Sequence, residues 1–256
     1  MGASSRWGHP GKLGAVLYAL LAAAVGGMTA LFSRLQVEKQ RGRSAAARRL
    51  PTGGVIVISN HTSYADGVLL ALACRRLGRS LRLLATSGVF RAPVIGWVAR
   101  RLGFIAVRRG DPTAAHSLDE AAQAIRAGEA VGLYPEGRIT RDPRMWPERA
   151  KTGAVRLALQ TGAPIVPVAM VGAHRVVGRR RIALRALVNL VLRPKVEVKV
   201  GEPIDVRVLM NVGPGTEPTQ AEVRLAADQV MGRLIGLVGE LRGELAPAPL
   251  GAELIS

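Results

Sequence analysis

A run of four apolar residues with branched side chains, Val55 to Ile58, is followed closely by a histidine and then a carboxylate. The run predicts a buried strand, and the segment that starts at Asp66 predicts a helix. Successive helical residues turn by about 100°, so the five-residue offset between His61 and Asp66 does not by itself place them on one face. We expect them to meet because His61 lies in the loop just before the first helical turn. In open α/β sheets, ligand-binding and catalytic residues lie at such crevices between strand ends and helices.

The pair of an imidazole and a carboxylate is suited to acid–base catalysis. An imidazole can take up a proton near neutral pH, and a neighbouring carboxylate can hold its tautomer and stabilise the imidazolium. The alternative is structural, with a residue that caps the helix and Asp66 as a first-turn carboxylate that the helix dipole favours. The pair alone does not decide between these interpretations.

The segments that follow in order resemble a known family. His61 and Asp66 match the H-x4-D motif of the glycerolipid acyltransferases, the family that includes 1-acylglycerol-3-phosphate acyltransferase. The matching blocks extend from residue 55 to residue 204. The further segments that resemble family blocks are Phe90 to Trp97, Gly103 to Arg109, Tyr134 to Arg138, Lys151 to Ala154, Ala163 to Val168 and Gly201 to Ile204.

The resemblance implies a reaction and roles for particular residues. His61, oriented by Asp66, is expected to act as general base on an acceptor hydroxyl, with no covalent acyl-enzyme. The donor would be a thioester of coenzyme A or of acyl carrier protein, and no cofactor or metal is implied. Arg109 would hold the phosphate of 1-acylglycerol-3-phosphate, since an arginine can bind a phosphomonoester through two parallel bonds. The other substrate-binding candidates are Glu136, Gly137, Arg138 and Arg141.

Three departures from the family pattern leave the acceptor open. Arg108 stands where relatives usually carry an aspartate, Ile139 stands at the third-block arginine, and Thr86 replaces a common lysine. The acceptor could therefore be another lysophospholipid or a lipid-linked hydroxyl. A non-catalytic basic protein that binds anionic membranes or nucleic acid is the alternative from a different class.

Composition bears on these alternatives through charge and cysteine content. The 256 residues carry a formal net charge of +18, which calls for an acidic partner, but only 4% are aromatic and no nucleic-acid recognition motif is present. Anionic lipid headgroups and substrate phosphates are the expected partners, and nucleic acid is not. The one cysteine, Cys74, excludes an intrachain disulfide and is expected to be a buried, unreactive residue.

The N-terminal region is expected to attach to a membrane. Residues 13–32 contain no charge, and as a helix they would be about 30 Å long, which is enough to cross a hydrocarbon core. A helix that dips into one leaflet is equally compatible, and a secretory signal competes with both. We expect a membrane-associated segment at 1–48, a catalytic domain at 49–243 on the cytoplasmic side of a bacterial cell membrane, and a disordered tail at 244–256.

Alternating strand and helix patterns predict an α/β fold with a mixed β-sheet flanked by helices. The residues Thr219 to Glu222 form a capping-box pattern, which predicts the start of a long final helix that packs on the core. The other predicted helices are 66–77, 93–102 and 117–127, and the predicted strands are 55–58, 104–107, 130–134, 165–168 and 195–200.

Overall fold

A seven-stranded mixed sheet forms the centre of the protein in a computed structural model, which describes residues 12–38, 49–107, 114–177, 188–213 and 215–245. All five predicted strands are present. Two further strands, β1 and β3, escaped the sequence analysis. In chain order the strands are β1 (Arg34–Val37), β2 (Val55–Ser59), β3 (Leu81–Thr86), β4 (Ile105–Val107), β5 (Ala130–Leu133), β6 (Ile165–Val171) and β7 (Lys195–Val200).

Helices flank the sheet, as predicted. The helix α6 and three short helices were not predicted, and residues 188–192 are also helical. The named helices are α1 (Lys12–Phe32), α2 (Asp66–Arg76), α3 (Ser87–Arg91), α4 (Pro93–Arg101), α5 (Ala114–Arg126), α6 (Gly153–Thr161), α7 (Ala173–Val176), α8 (Val206–Met210) and α9 (Gln220–Arg242).

The order of the strands across the sheet is β1-β7-β6-β2-β5-β3-β4. The strands β2 to β6 run parallel to one another, whereas β7 is antiparallel to β6 and parallel to β1. Every residue of β2 is buried, as expected for a central strand covered on both faces. Because β2 and β5 are parallel neighbours, the loops after them leave the sheet at the same edge.

The core has one apolar cluster on each face of the sheet. Residues of α5, α6 and α9 pack on one face, and residues of α2 pack on the other. The predicted role of the final helix is confirmed, because its apolar stripe is buried and a capping box joins Thr219 to Glu222 at its start. Cys74 of α2 is fully buried, and burial raises the pKa of its thiol to about 12. The thiol is therefore protonated at physiological pH.

The uncharged run near the N-terminus is helical, since α1 covers Lys12 to Phe32. Among the residues that the structure describes, no helix combines the length and the apolar character needed to cross a bilayer. Attachment of residues 1–48 to a membrane therefore stays a prediction. The boundaries of the catalytic domain and of the tail also stay predictions. Most of the tail lies outside the described residues.

Candidate active site

The predicted contact between His61 and Asp66 is present at the carboxyl end of β2. The Nδ1 atom of His61 lies 2.9 Å from Oδ2 of Asp66. The same carboxylate oxygen accepts hydrogen bonds from the backbone N–H groups of Thr62 (2.6 Å) and Ser63 (2.8 Å). Asp66 is buried, while His61 retains some exposure. With the proton on Nδ1 facing Asp66, the Nε2 lone pair of His61 is available to accept a proton.

Polar side chains next to His61 anchor its loop to the sheet. Asn60 exchanges two hydrogen bonds of 2.8 Å with the backbone of Met170 at the end of β6. The hydroxyl of Ser63 donates to the carbonyl oxygen of Val177 at 2.6 Å. These bonds attach the loop to two neighbouring segments, so the backbone that carries His61 is held on both sides.

Tyr134, which the sequence analysis did not single out, stacks on His61. Their ring centroids lie 4.1 Å apart with an angle of 14° between the planes. The hydroxyl of Tyr134 is enclosed and has no hydrogen-bond partner among the described residues. Burial, and then the charge of Asp66, raise the pKa of Tyr134 well above its usual value. The phenol therefore stays neutral, and its ring supports one face of the imidazole.

Glu136 joins the His61 loop to the loop that follows β5. One carboxylate oxygen accepts the backbone N–H of His61 at 3.1 Å, and the other accepts the backbone N–H of Glu148 at 3.1 Å. Burial raises the pKa of Glu136 to about 7, although these two bonds favour its charged form. Glu136 therefore acts on the protein backbone in this structure, and its predicted contact with substrate stays a prediction.

The two arginines after Glu136 lie near a second carboxylate, Glu148, which the sequence analysis missed. The guanidinium of Arg138 donates to Glu148 at 2.8 Å, and the backbone N–H of Arg141 donates to it at 2.8 Å. The bond from Arg141 is the largest of the effects that lower the pKa of Glu148. Both arginine side chains are exposed at the edge that carries His61. Arg109 lies outside the described residues, so its predicted role is untested.

Gly137 occupies a left-handed backbone conformation that favours glycine. Its φ is +71°, and a Cβ atom there would lie 3.0 Å from Cε of Lys151. The chain also holds this turn by a hydrogen bond of 2.8 Å from the backbone N–H of Lys151 to the carbonyl oxygen of Pro135. Gly137 therefore lets the stem of Lys151 pass close to the backbone after β5.

A cavity of about 170 Å³ lies beside these loops. Tyr134 is part of its wall, whereas the His61 ring stacked on that tyrosine is not. The remaining wall is mostly apolar, with Thr86 and Lys151 as polar members. The lining residues are Leu84, Ala85, Thr86, Val107, Leu118, Leu133, Tyr134, Pro135, Gly137, Lys151, Gly153 and Ala154. Within the described residues, no cluster of three or more His, Cys, Asp or Glu side chains could hold a metal ion.

Replacing Glu136 with glutamine is expected to change how stability depends on pH. The pKa of this carboxyl rises from about 4.5 to about 7 on folding, so between these pH values the folded chain binds more protons than the unfolded chain. The wild type therefore loses stability as the pH rises through this window, whereas glutamine does not titrate. The free energy of unfolding of the wild type minus that of Glu136→Gln should fall by roughly 3 kcal/mol from pH 4.5 to 7 and stay level above it. Urea titrations across this range measure the difference, and parallel pH profiles would contradict it.

Comparison with known proteins agrees with this geometry. An acyltransferase family model matches residues 39–171, which is more than half of the chain and includes His61, Asp66 and Glu136. The chain is 32% identical over 122 residues to a chloroplast 1-acyl-sn-glycerol-3-phosphate acyltransferase of Brassica napus, covering 47% of this chain and 34% of that one. It is 30% identical over 122 residues to the Arabidopsis thaliana enzyme of the same description, covering 47% and 33%. The chain thus spans about a third of the length of these relatives.

The fold is also found in a solved structure. The 1-acyl-sn-glycerophosphate acyltransferase PlsC of Thermotoga maritima superimposes with a TM-score of 0.62 and 22% sequence identity, covering 92% of this chain and 84% of that one. The expected mixed sheet flanked by helices is therefore confirmed. Because the family model covers most of the predicted motifs and more than half of the sequence, the chain belongs to the acyltransferase family.

Proposed function

We propose that this protein transfers a fatty acyl group from a thioester to the free hydroxyl of 1-acylglycerol-3-phosphate, giving phosphatidic acid. The contact between His61 and Asp66 at the end of β2 is the observation that carries the proposal. Two relatives from the same family are described as 1-acyl-sn-glycerol-3-phosphate acyltransferases. The donor thioester could be carried by coenzyme A or by acyl carrier protein.

In the proposed mechanism, Nε2 of His61 takes the proton of the acceptor hydroxyl as its oxygen attacks the thioester carbonyl. Asp66 balances the positive charge that develops on the imidazole. When the tetrahedral intermediate collapses, the carbon–sulfur bond breaks, the leaving thiolate takes the proton from His61, and the new ester is released. The overall transfer is balanced without any other reactant.

Direct transfer is favoured over a covalent acyl-enzyme because the hydroxyl of Ser63 is hydrogen-bonded within the protein and Cys74 is buried. The hydroxyl of Ser63 donates to the carbonyl oxygen of Val177 and accepts the N–H of Ala65 at 3.1 Å. Cys74 is buried with a raised pKa, so it carries no thiolate at neutral pH. The acceptor hydroxyl is therefore the nucleophile in this proposal.

We also propose that the reaction takes place at the cytoplasmic face of the cell membrane, with residues 1–48 attached to the bilayer. The uncharged run within 13–32 and the formal net charge of +18 support this location. A lysophospholipid acceptor lies in such a membrane, and anionic headgroups would attract the basic chain.

An acceptor screen tests the substrate. Purified protein in detergent should acylate lysophosphatidate with a kcat/KM about 10- to 100-fold above that for monoacylglycerol, which has no phosphate, because a charged hydrogen bond to phosphate contributes about 1.5–3 kcal/mol. The variant Arg109→Ala should lose most of this preference, mainly through KM. Steady-state transfer from a radiolabelled thioester measures both values.

An exposed arginine on α4, Arg100, supplies the matched control for this screen. Arg100→Ala removes the same charge from a side chain that donates to the carbonyl oxygen of Phe90, and acceptor preference should be unchanged. Equal kcat/KM values for phosphorylated and neutral acceptors would exclude lysophosphatidate specificity. They would favour another lipid hydroxyl, which the departures at Thr86 and Ile139 leave open.

A further inference from the structure

An inverted amphipathic segment lies outside the proposed site, at residues 188–192. Its polar residue Asn189 is buried and donates to the carbonyl oxygens of Arg175 (3.0 Å) and Val176 (2.8 Å). Its apolar residues face outward, and Val191 and Leu192 are 84% and 65% exposed. A surface helix in water normally has the opposite arrangement, with apolar residues inside and polar residues outside. The exposed apolar residues of the segment are Val188, Leu190, Val191 and Leu192.

The segment is fixed beside the C-terminal end of α1. The guanidinium of Arg193 donates twice to the carbonyl oxygen of Ala30, at 3.0 and 2.7 Å. The side chain and the backbone N–H of Arg34 donate to the carbonyl oxygens of Arg193 (3.0 Å) and Pro194 (2.9 Å). The last carbonyl groups of a helix lack partners within it, so Arg193 satisfies one of them while joining the two segments.

The end of α1 adds its own exposed apolar side chains to this surface. Met28 and Leu31 are more than half exposed. With the four apolar residues of 188–192, they make six large apolar side chains drawn from segments 160 residues apart in sequence and held together by Arg193. We call these six side chains the apolar platform. Exposed apolar side chains grouped on two joined segments are typical of a membrane or protein contact.

Charge around the apolar platform favours an anionic bilayer as the partner. Arg34, Arg175 and Arg193 are exposed next to it. The sequence adds four arginines between 179 and 185, which lie outside the described residues, and the whole chain has a net charge of +18. Apolar side chains at the boundary of headgroups and acyl chains, with arginines at the level of the phosphates, form the usual pattern of an interfacial membrane contact.

We propose that the apolar platform inserts into the headgroup region of an anionic bilayer and docks the catalytic domain there. Residues 188–192 then form a membrane contact in addition to the N-terminal segment. Because α1 and residues 188–192 are joined through Arg193, their insertion fixes the orientation of the sheet relative to the membrane. The inference concerns docking and does not depend on which acceptor is acylated.

Site-specific fluorescence tests this docking in the full chain. Cys74 is buried with a pKa of about 12, so a thiol-reactive label will modify only a cysteine introduced at the surface. An environment-sensitive label on Val191→Cys should shift to shorter wavelength and brighten at least about twofold when vesicles containing phosphatidylglycerol are added, because the label leaves water. Vesicles of phosphatidylcholine alone should give a smaller response, and added salt should reduce it.

Val208→Cys and Leu225→Cys are matched controls, because these side chains are 77% and 60% exposed on α8 and α9. Labels at 208 and 225 should not respond to vesicles. Acyl transfer to detergent-dispersed acceptor should be equal in all labelled variants, which shows folding and separates this inference from the proposed reaction. A silent label at 191 on vesicle-bound protein would overturn the inference. So would a response that grows with protein concentration in the absence of lipid, since that result would indicate contact between copies of the chain.

Discussion

Replacing His61 with alanine is expected to lower kcat for acyl transfer by about 10²- to 10⁴-fold, which is the usual contribution of a positioned general base. KM for the thioester should change little, because the imidazole acts on the acceptor proton. The fold should persist, since the two hydrogen bonds that the backbone of His61 makes, to Glu136 and Thr140, do not involve the lost side chain. Single-turnover transfer and thermal unfolding measure the two effects.

The result separates an enzyme from a non-catalytic basic protein of the same fold. A wild-type protein without transfer activity would support the non-catalytic alternative. A folded His61→Ala variant with kcat within tenfold of the wild type would leave the general-base mechanism without support. Asp228→Asn is a suitable control, because it removes an exposed carboxylate that pairs with Arg224 on α9, far along the chain from the His61 loop. Its activity should match the wild type.

The variant Asp66→Asn is expected to lower kcat by about 10²- to 10⁴-fold while keeping the shape of the side chain. One oxygen of Asp66 accepts three N–H groups, from His61, Thr62 and Ser63. An amide oxygen in the same place can still accept these bonds, but it carries no charge to stabilise the imidazolium. The loss should therefore fall on kcat rather than on KM. Steady-state kinetics with saturating thioester measure kcat and KM separately.

Stability offers a second measurement on the same variant. The two backbone bonds to Asp66 are charge-assisted, and weakening them should cost about 1–3 kcal/mol of unfolding free energy. Asp228→Asn should change stability by less than about 0.5 kcal/mol, because its ion pair is exposed. Equal activity of Asp66→Asn and wild type would show that the carboxylate only shapes the loop, which is the structural interpretation of the motif.

Several elements could be predicted because their signals are local. The buried strand β2 is a short apolar run, and the capping box at Thr219 marks the start of α9. The contact of His61 with Asp66 was also predictable, since both belong to one loop and the first turn of the next helix. The helix α6 was not predicted from the sequence. It ends just before Gly162, which adopts the left-handed conformation typical of a helix stop.

Two strands were missed because their patterns are weak in isolation. Arg82 interrupts the apolar pattern of β3, and its charge is paired with Glu129 and Glu120 in the fold. The strand β1 has four residues with alternating partial exposure and is stabilised by parallel pairing with β7. Ion pairs between distant segments cannot be predicted from the local sequence of a strand. The identity of the strand that pairs with it cannot be predicted from that local sequence either.

The residues that surround His61 likewise depend on the tertiary structure. Its neighbours Tyr134 and Glu136 come from the end of β5, more than 70 residues further along the chain, and reach it because β2 and β5 pair in parallel. Local patterns of apolar and polar residues indicated the strand, the helix and the reactive pair. Which loops stand beside that pair depends on the order of strands, and that order follows from how all the helices and strands bury their apolar faces together.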